Sequence, residues 1–187
     1  MSAVDKVGGV PLASEAVRAK AHQRARMLAR PGDWLWLILD QHERILDGFA
    51  AVRRAPETGA RRAAQKNLVA LVTGHSIAEE GVIYPALAAS DEVSQSDMAY
   101  AQQVAAKIGM AALEKLDPMS GDFGDLLDHL EQAIAHHAYQ EESEWLLDLK
   151  GKASAADEVT LTRRFKEEFA RYMNGPPVER ADVRSFG

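Results

Sequence analysis

Four long segments of this 187-residue chain repeat apolar residues every three or four positions, and only short polar links separate them. The segments run over about residues 34–55, 60–88, 97–116 and 122–149. This period is typical of helices that bury one face. A link of a few residues cannot return the chain to the far end of a helix, so consecutive helices run antiparallel. The pattern therefore predicts an all-α fold, an antiparallel up-down-up-down four-helix bundle.

Shorter elements flank the predicted bundle. Ser14 is a suitable N-cap for a short helix over residues 15–28, which Pro31 and Gly32 would end. An amphipathic pattern predicts a final helix over residues 157–173. We expect three regions: a flexible start with a short helix (1–31), the four-helix bundle (32–150), and a C-terminal helix with a loose tail (151–187).

The composition limits the chemistry. The chain contains no cysteine, which excludes disulfides, zinc–thiolate sites, iron–sulfur clusters and thiol catalysis, so any metal must be bound by nitrogen and oxygen ligands. The net charge of −6, with acids and bases interleaved, argues against broad nucleic-acid binding. The apolar run Trp34–Leu39 is too short to span a membrane, and we see no signal-peptide layout. We therefore expect a soluble, cytoplasmic protein without nucleic-acid or membrane partners.

Two predicted helices carry the same motif, a histidine followed four residues later by two glutamates. The motif occupies residues 75–80 (HSIAEE) and residues 137–142 (HAYQEE). A spacing of four places the histidine and the first glutamate on one face, one turn apart. In both helices this face is also the apolar one. Because a carboxylate that faces a core is costly unless it is paired or bound to a metal, the two motifs predict a shared cation.

The two motifs belong to an internal repeat. The histidines His75 and His137 are 62 residues apart, and the similarity continues beyond them, as EEGVIYPAL against EESEWLLDL. The first half carries a further histidine, His42, on the preceding helix. Adding 62 to its number gives position 104, where the nearest polar residues are Gln102 and Gln103. The repeat therefore predicts a ligand position on the third long helix that glutamine occupies.

These motifs resemble those of the hemerythrin-like HHE cation-binding domain. The resemblance covers about residues 33–149 and rests on ILDQHERIL, HSIAEEGVIYPAL, AYAQQVAAKIGMAALEKLDP and HHAYQEESEWLLDL. It implies a bundle that holds a non-haem diiron site in which two glutamates bridge the irons. Imidazole and carboxylate suit iron, and open positions would admit dioxygen, peroxide or nitric oxide. By this resemblance the iron ligands are His42, His75, Glu79, His137 and Glu141.

One position departs from the family pattern. Members usually carry Glu-His, with a lysine four residues after the histidine. Here Gln102 and Gln103 precede Lys107, so Gln103 stands in place of the third histidine. An amide oxygen is a poorer iron ligand than imidazole, so Gln103 either coordinates weakly or hydrogen-bonds to a water. Three outcomes stay open: a diiron site with one exposed iron, a mononuclear site, or a site that no longer binds metal.

Two classes of function follow from these outcomes. The first is a hemerythrin-like iron protein that binds or senses dioxygen, peroxide or nitric oxide, with weak oxidase or peroxidase activity as an open alternative. The second is a degenerate HHE bundle that acts as a regulatory or partner-binding module. In that case its additional terminal helices would bind a protein partner.

The other polar residues near these motifs have simpler interpretations. Glu80 and Glu142 point about 100° around the helix from the predicted ligands, so we expect them at the surface or an interface, with contacts to ligand histidines as the alternative. Tyr100 is expected to be a core tyrosine, and its alternatives are hydrogen bonding to a metal ligand or, rarely, binding the metal as a phenolate. Lys107 either pairs with a nearby glutamate or lies at the rim. The remaining histidines are expected to bind no metal: His22, His129 and His136, the last of which lies beside a ligand or at the surface.

Overall fold

The computed structural model describes residues 6–7, 10–90 and 92–175. This part of the chain is helical apart from a short antiparallel pair of strands, in which Lys6–Val7 faces Val10–Pro11. The rest of the predicted flexible start, and the loose tail beyond Gly175, lie outside the described residues. The helices are α1 (Glu15–Leu28), α2 (Trp34–Arg54), α3 (Thr58–Ala78), α4 (Tyr84–Ala89), α5 (Val93–Leu113), α6 (Gly121–Gln140), α7 (Leu146–Lys152) and α8 (Ala155–Asn174).

Two π-helical segments interrupt the long helices. We name them π1 (Glu79–Ile83), between α3 and α4, and π2 (Glu141–Trp145), between α6 and α7. The four rods of the bundle are therefore α2, α3–π1–α4, α5 and α6–π2–α7. Neighbouring rods pack against each other, as α2 does with α3 and α6, and α5 with α4 and α6. The predicted all-α bundle is confirmed, and each rod lies close to its predicted segment.

Side-chain caps define where several helices begin. Asp33 Oδ1 accepts from Trp36 N–H at 2.8 Å at the start of α2, and Ser120 Oγ accepts from Phe123 N–H at 3.2 Å at the start of α6. Each cap satisfies a backbone N–H that has no partner within the helix. Asp33 also binds Lys150 Nζ at 2.7 Å, which ties the start of α2 to the end of α7.

The core consists of two apolar clusters along the bundle axis. The first surrounds Trp34, Tyr84 and Phe165, and the second surrounds Phe49, Leu68 and Phe123. Every rod passes from one cluster to the other, and the predicted ligands lie at the junction. The polar site is therefore closed at both ends by apolar packing, which limits its contact with bulk water. Among the described residues, no helix is long and apolar enough to cross a lipid bilayer.

The π segments start at the first glutamate of each motif. The N–H of Tyr84 donates to the carbonyl of Glu79, and that of Leu146 donates to the carbonyl of Glu141, five residues back rather than four. Pro85, which we expected to kink or end its helix, follows π1 directly. Because π2 forms without a proline, Pro85 does not by itself account for this geometry. Such segments are frequent at functional sites.

The terminal helices pack on the bundle. Helix α8 lies against α3, π1 and α2, and α1 lies against π2 and α2. Gly74 allows the approach of α8, because a Cβ there would meet Tyr172 Cδ1 at 3.0 Å and Met173 Sδ at 3.1 Å. The residues Ala25 and Leu161 join the first apolar cluster. The division of the chain into three regions stays a prediction, although both terminal helices share the bundle core.

We expect Phe165→Ala to destabilise the protein by about 3–5 kcal/mol, because Phe165 is fully buried in the first cluster and its loss leaves a cavity. Chemical denaturation followed by circular dichroism measures the change in the free energy of unfolding. The control is Val159→Ala on the same helix, where Val159 is 69 % exposed, with an expected effect of less than about 0.5 kcal/mol. Equal effects would show that α8 does not share the folding unit.

Candidate metal centre

Four buried side chains bring potential ligand atoms together at the junction of the two clusters. Ligand atoms of His42, His75, Glu79 and Glu141 all lie within 4.8 Å of one another. His42 Nε2 is 3.2 Å from Glu141 Oε2, and His75 Nε2 is 3.1 Å from Glu79 Oε2. Both glutamates are 0 % exposed. Helix α2, the α3–π1 junction and the start of π2 supply these groups, so the site depends on three rods.

The other two predicted ligands lie at the same centre. His137 Nε2 is 3.4 Å from Glu141 Oε1, and Gln103 Nε2 donates to Glu79 Oε2 at 2.7 Å. The structure thus brings all six predicted residues together. Gln103 presents its amide nitrogen to the carboxylate, since a carboxylate accepts hydrogen bonds and an amide N–H donates them. The assignment of the six as metal ligands stays a prediction.

Hydrogen bonds orient each histidine towards the centre. His75 Nδ1 donates to Gln41 Oε1 at 2.9 Å, and His137 Nδ1 donates to Gln102 Oε1 at 2.7 Å. His42 Nδ1 donates to Glu142 Oε1 at 2.8 Å. Because each acceptor takes the proton of Nδ1, the Nε2 lone pair is directed at the glutamates. This is the usual arrangement of metal-binding histidines, whose second ring nitrogen donates to an oxygen.

The orienting glutamines locate the equivalent positions of the two halves. Gln41 precedes His42 and accepts a hydrogen bond from His75. In the same way, Gln102 precedes Gln103 and accepts a hydrogen bond from His137. The offset between these pairs is 61 residues rather than 62. The equivalent of His42 is therefore Gln103, whereas position 104, which the simple offset indicates, holds a valine that is 51 % exposed. The glutamine lies where the second half would place a histidine.

Several buried atoms at or beside this centre have no hydrogen-bond partner among the described residues. They are His42 Nε2, Glu79 Oε1, Gln103 Oε1 and Glu141 Oε2. An unsatisfied buried polar group costs about 1–3 kcal/mol. With Nδ1 protonated, His42 Nε2 and Glu141 Oε2 are two acceptors in contact, so a proton or a cation must lie between them. The nitrogen–oxygen donor set therefore fits a bound metal ion.

A comparison with known families agrees with this geometry. The model of the hemerythrin HHE cation-binding domain matches residues 35–148, more than half of the chain. The chain belongs to this family. The matched part begins in α2, ends in α7 and leaves out α1 and α8. No curated protein and no solved structure matches the chain.

Burial and charge set the protonation of this hemerythrin-type site. Burial lowers the pKa of His42, but the Glu141 carboxylate 3.2 Å from Nε2 and the hydrogen-bonded Glu142 carboxylate outweigh it and raise the pKa to about 10. Burial and the neighbouring His42 charge lower the pKa of His75 to about 3. Burial raises the pKa of Glu79 to about 7. The charge of His42 and the hydrogen bonds from Tyr84 and Gln103 act in the opposite direction. Without a metal, a proton on His42 supplies the positive charge that the carboxylates require.

Tyr84 is a site residue that the sequence analysis missed. Its hydroxyl lies 3.2 Å from Glu79 Oε2, 3.0 Å from Glu141 Oε1 and 3.2 Å from His137 Nε2, and it accepts from Gln103 Nε2 at 2.5 Å. The π1 segment places residue 84 one turn beyond Glu79, where ordinary helical spacing would place residue 83. The internal repeat contained a signal for Tyr84. It aligns Tyr84 with the apolar Leu146, so the first half carries a hydroxyl where the second half has none.

Tyr100 and Lys107 have structural partners near the site. The Tyr100 hydroxyl donates to the backbone carbonyl of Glu80 at 2.8 Å, and its ring packs edge-on against Tyr84 at 5.0 Å. The alternative in which Tyr100 hydrogen-bonds to a metal ligand is therefore wrong. Lys107 Nζ pairs with Glu80 Oε1 at 2.6 Å. Of its two expected roles, Lys107 therefore has the one in which it pairs with a nearby glutamate. These contacts join the side of π1 to α5.

Glu142 extends the site outward to α1. This glutamate is buried, and it accepts from both His42 Nδ1 and His22 Nδ1, the latter at 3.0 Å. Burial opposes its ionisation, but these two histidines lower its pKa to about 2. His22, expected to be an ordinary histidine, therefore anchors the carboxylate that orients His42. His136 is buried rather than at the surface, and His129 is exposed.

Proposed function

We propose that this hemerythrin-like protein binds non-haem iron and uses it to bind or sense dioxygen, peroxide or nitric oxide. The observation that carries the proposal is the set of buried, unpartnered nitrogen and oxygen atoms of His42, Glu79 and Glu141, which converge from three rods. Imidazole nitrogen combined with carboxylate oxygen suits iron. The family match is consistent with a cation site. A diiron centre is the form we favour, because two glutamates lie between histidines from both halves.

The chain's own residues have separable roles in this proposal. His42, His75, His137, Glu79 and Glu141 would hold the iron. When bound, the iron would supply open coordination positions for a small oxidant. Gln41, Gln102 and Glu142 orient the histidines, and Gln103 donates to Glu79 instead of presenting its oxygen to the centre.

Tyr84 holds a phenolic proton at the centre. The hydroxyl has two carboxylate acceptors within 3.2 Å but only one hydrogen, so it bonds one of them at a time. Burial raises the pKa of Tyr84 well above its usual value, and the negative charge of the glutamates adds to this effect. The phenol therefore stays protonated, and it supplies a donor beside the position of the missing histidine.

We expect protein purified from iron-replete cells to carry about one to two iron atoms per chain, because the carboxylates and the imidazoles together form an iron-type donor set. Elemental analysis measures the iron, and an oxo-bridged diferric pair adds near-ultraviolet absorption. A protein that takes up no iron even after anaerobic reconstitution would contradict the proposal. That outcome would favour the alternative, a degenerate bundle with a regulatory or partner-binding role.

Partners and location remain part of the proposal. A small diatomic molecule or a peroxide is the proposed ligand of the iron. A protein partner would meet the outer faces of the terminal helices, where Val17, Met27 and Val159 are exposed. We place the protein in the cytoplasm, an expectation that comes from the sequence.

A further inference from the structure

A cavity of about 310 Å³ adjoins the centre on the side of Gln103. It extends from the predicted ligands outward between α5 and α6. A water molecule occupies about 30 Å³ in the liquid, so the cavity far exceeds the needs of dioxygen or peroxide. Pockets that bind small organic molecules begin at about 300 Å³. The size of the cavity is therefore that of a site for a small organic molecule.

The walls of the cavity are mainly apolar. Side chains from four rods form them, among them Ile45, Val72, Ala106, Leu130 and Ile134. Apolar walls favour a ligand with an apolar body, because its transfer from water is favourable and non-directional. Gly109 leaves room for Leu130 between α5 and α6, because a Cβ there would overlap Leu130 Cδ2.

One side chain in the wall of this cavity carries an unpartnered acceptor atom. Gln103 lines the cavity and is 3 % exposed. Its Nε2 is engaged by Glu79 and Tyr84, while its Oε1 is buried without a partner. The neighbouring Gln102 uses its oxygen for His137 and its nitrogen for Gln140, so it offers no comparable acceptor. A ligand that donates one hydrogen bond at its inner end would satisfy Gln103 Oε1.

We propose that this cavity binds a small phenol or a comparable alcohol, with its hydrocarbon body between α5 and α6 and its hydroxyl donating to Gln103 Oε1. The inference rests on the proposed function only in placing that hydroxyl beside an iron centre. The missing third histidine creates the site, because the amide that replaces it leaves an oxygen free. The cavity thus provides a specific site for an organic molecule next to the proposed metal.

The test compares 4-ethylphenol with 4-ethylanisole, which carries a methyl group on the oxygen, so that only the first donates a hydrogen bond. Titration calorimetry on the purified full-length protein should show the phenol binding about fivefold more tightly, since one hydrogen bond is gained. Equal affinities would overturn the assignment of Gln103 Oε1 as the acceptor. Absence of binding by both probes would overturn the cavity site itself.

Variants locate the binding in the structure. Ala106→Phe fills the cavity and should abolish binding of both probes. Its matched control is Ala101→Phe on the same helix, since Ala101 is exposed and does not line the cavity, and it should bind like the wild type. Gln103→Leu should bind both probes with similar affinity. If Ala106→Phe binds as well as Ala101→Phe does, the probes bind elsewhere and the proposal is wrong.

Iron content is measured in the same samples, and the titration is repeated on protein stripped of metal. Probe binding without iron uptake would contradict the proposed function and leave the cavity site standing. Iron uptake without probe binding would contradict the cavity site and leave the proposed function standing. Circular dichroism of each variant shows whether a loss of binding reflects loss of the fold.

Discussion

Glu141→Ala and His75→Ala are each expected to abolish most iron binding while the chain stays helical. Each change removes one donor from a centre in which both side chains are buried and within 3.5 Å of another predicted ligand. Loss of a partner that merely orients a ligand typically costs 10–100-fold in metal affinity. Loss of a ligand should therefore cost more than about 100-fold. Elemental analysis after reconstitution gives the iron content, and circular dichroism gives the helicity.

The matched control for these variants is His129→Ala. His129 lies on α6, two turns before His137. Its side chain is exposed and lines the outer part of the cavity beside Gln103, but it does not belong to the buried cluster of potential ligands. This variant should keep the iron content of the wild type. If all three variants lose iron alike, the loss does not report on the buried donors, and the assignment of the centre is wrong.

Gln103→His is expected to slow the loss of iron to a chelator, because it adds an imidazole ligand where an amide nitrogen now faces Glu79. The internal repeat indicates a partner for the new ring. Glu142 holds His42, and its equivalent in the first motif is Glu80, which now pairs with Lys107. An imidazole at position 103 needs such an acceptor for its second nitrogen.

The comparison set for this experiment is wild type, Gln103→His and Gln103→Ala. Iron release is followed by absorbance after addition of the chelator. Slowest release from the histidine variant supports the interpretation that position 103 is a ligand position at which glutamine has replaced histidine. The gain is limited by Tyr84, whose hydroxyl is 2.5 Å from Gln103 Nε2 and must move to admit a ring. If Gln103→His retains iron less well than Gln103→Ala, position 103 is shaped for the glutamine.

Much of the architecture could be predicted because its signals are local. Apolar periodicity places the four rods, since a helix buries one face whatever its partners are. The spacing of four in each motif places His75 with Glu79 and His137 with Glu141, because one helical turn is a property of the backbone alone. Residues such as Asp33 and Ser14 cap helices through N–H groups within a few positions along the chain.

The internal repeat alone did not give the position of the second-half ligand, although the family resemblance pointed to Gln103. Counting along the repeat indicated position 104, but the true equivalent of His42 is Gln103. The links between rods differ in length between the two halves, and a difference of one residue turns a side chain by about 100°. In the structure, the contacts of Gln41 and Gln102 with their histidines show which residue faces the centre.

The sequence by itself determined the helices, the bundle, and the two motifs that face its core. The tertiary structure decided which groups meet there: Tyr84 at the centre, His22 behind Glu142, and an apolar cavity beside Gln103. The position of Tyr84 depends on the π1 segment. There the backbone N–H bonds to the carbonyl five residues back instead of four, which changes the direction of the side chains after Glu79. The other two depend on contacts between distant rods, and these arise from packing that no local spacing encodes.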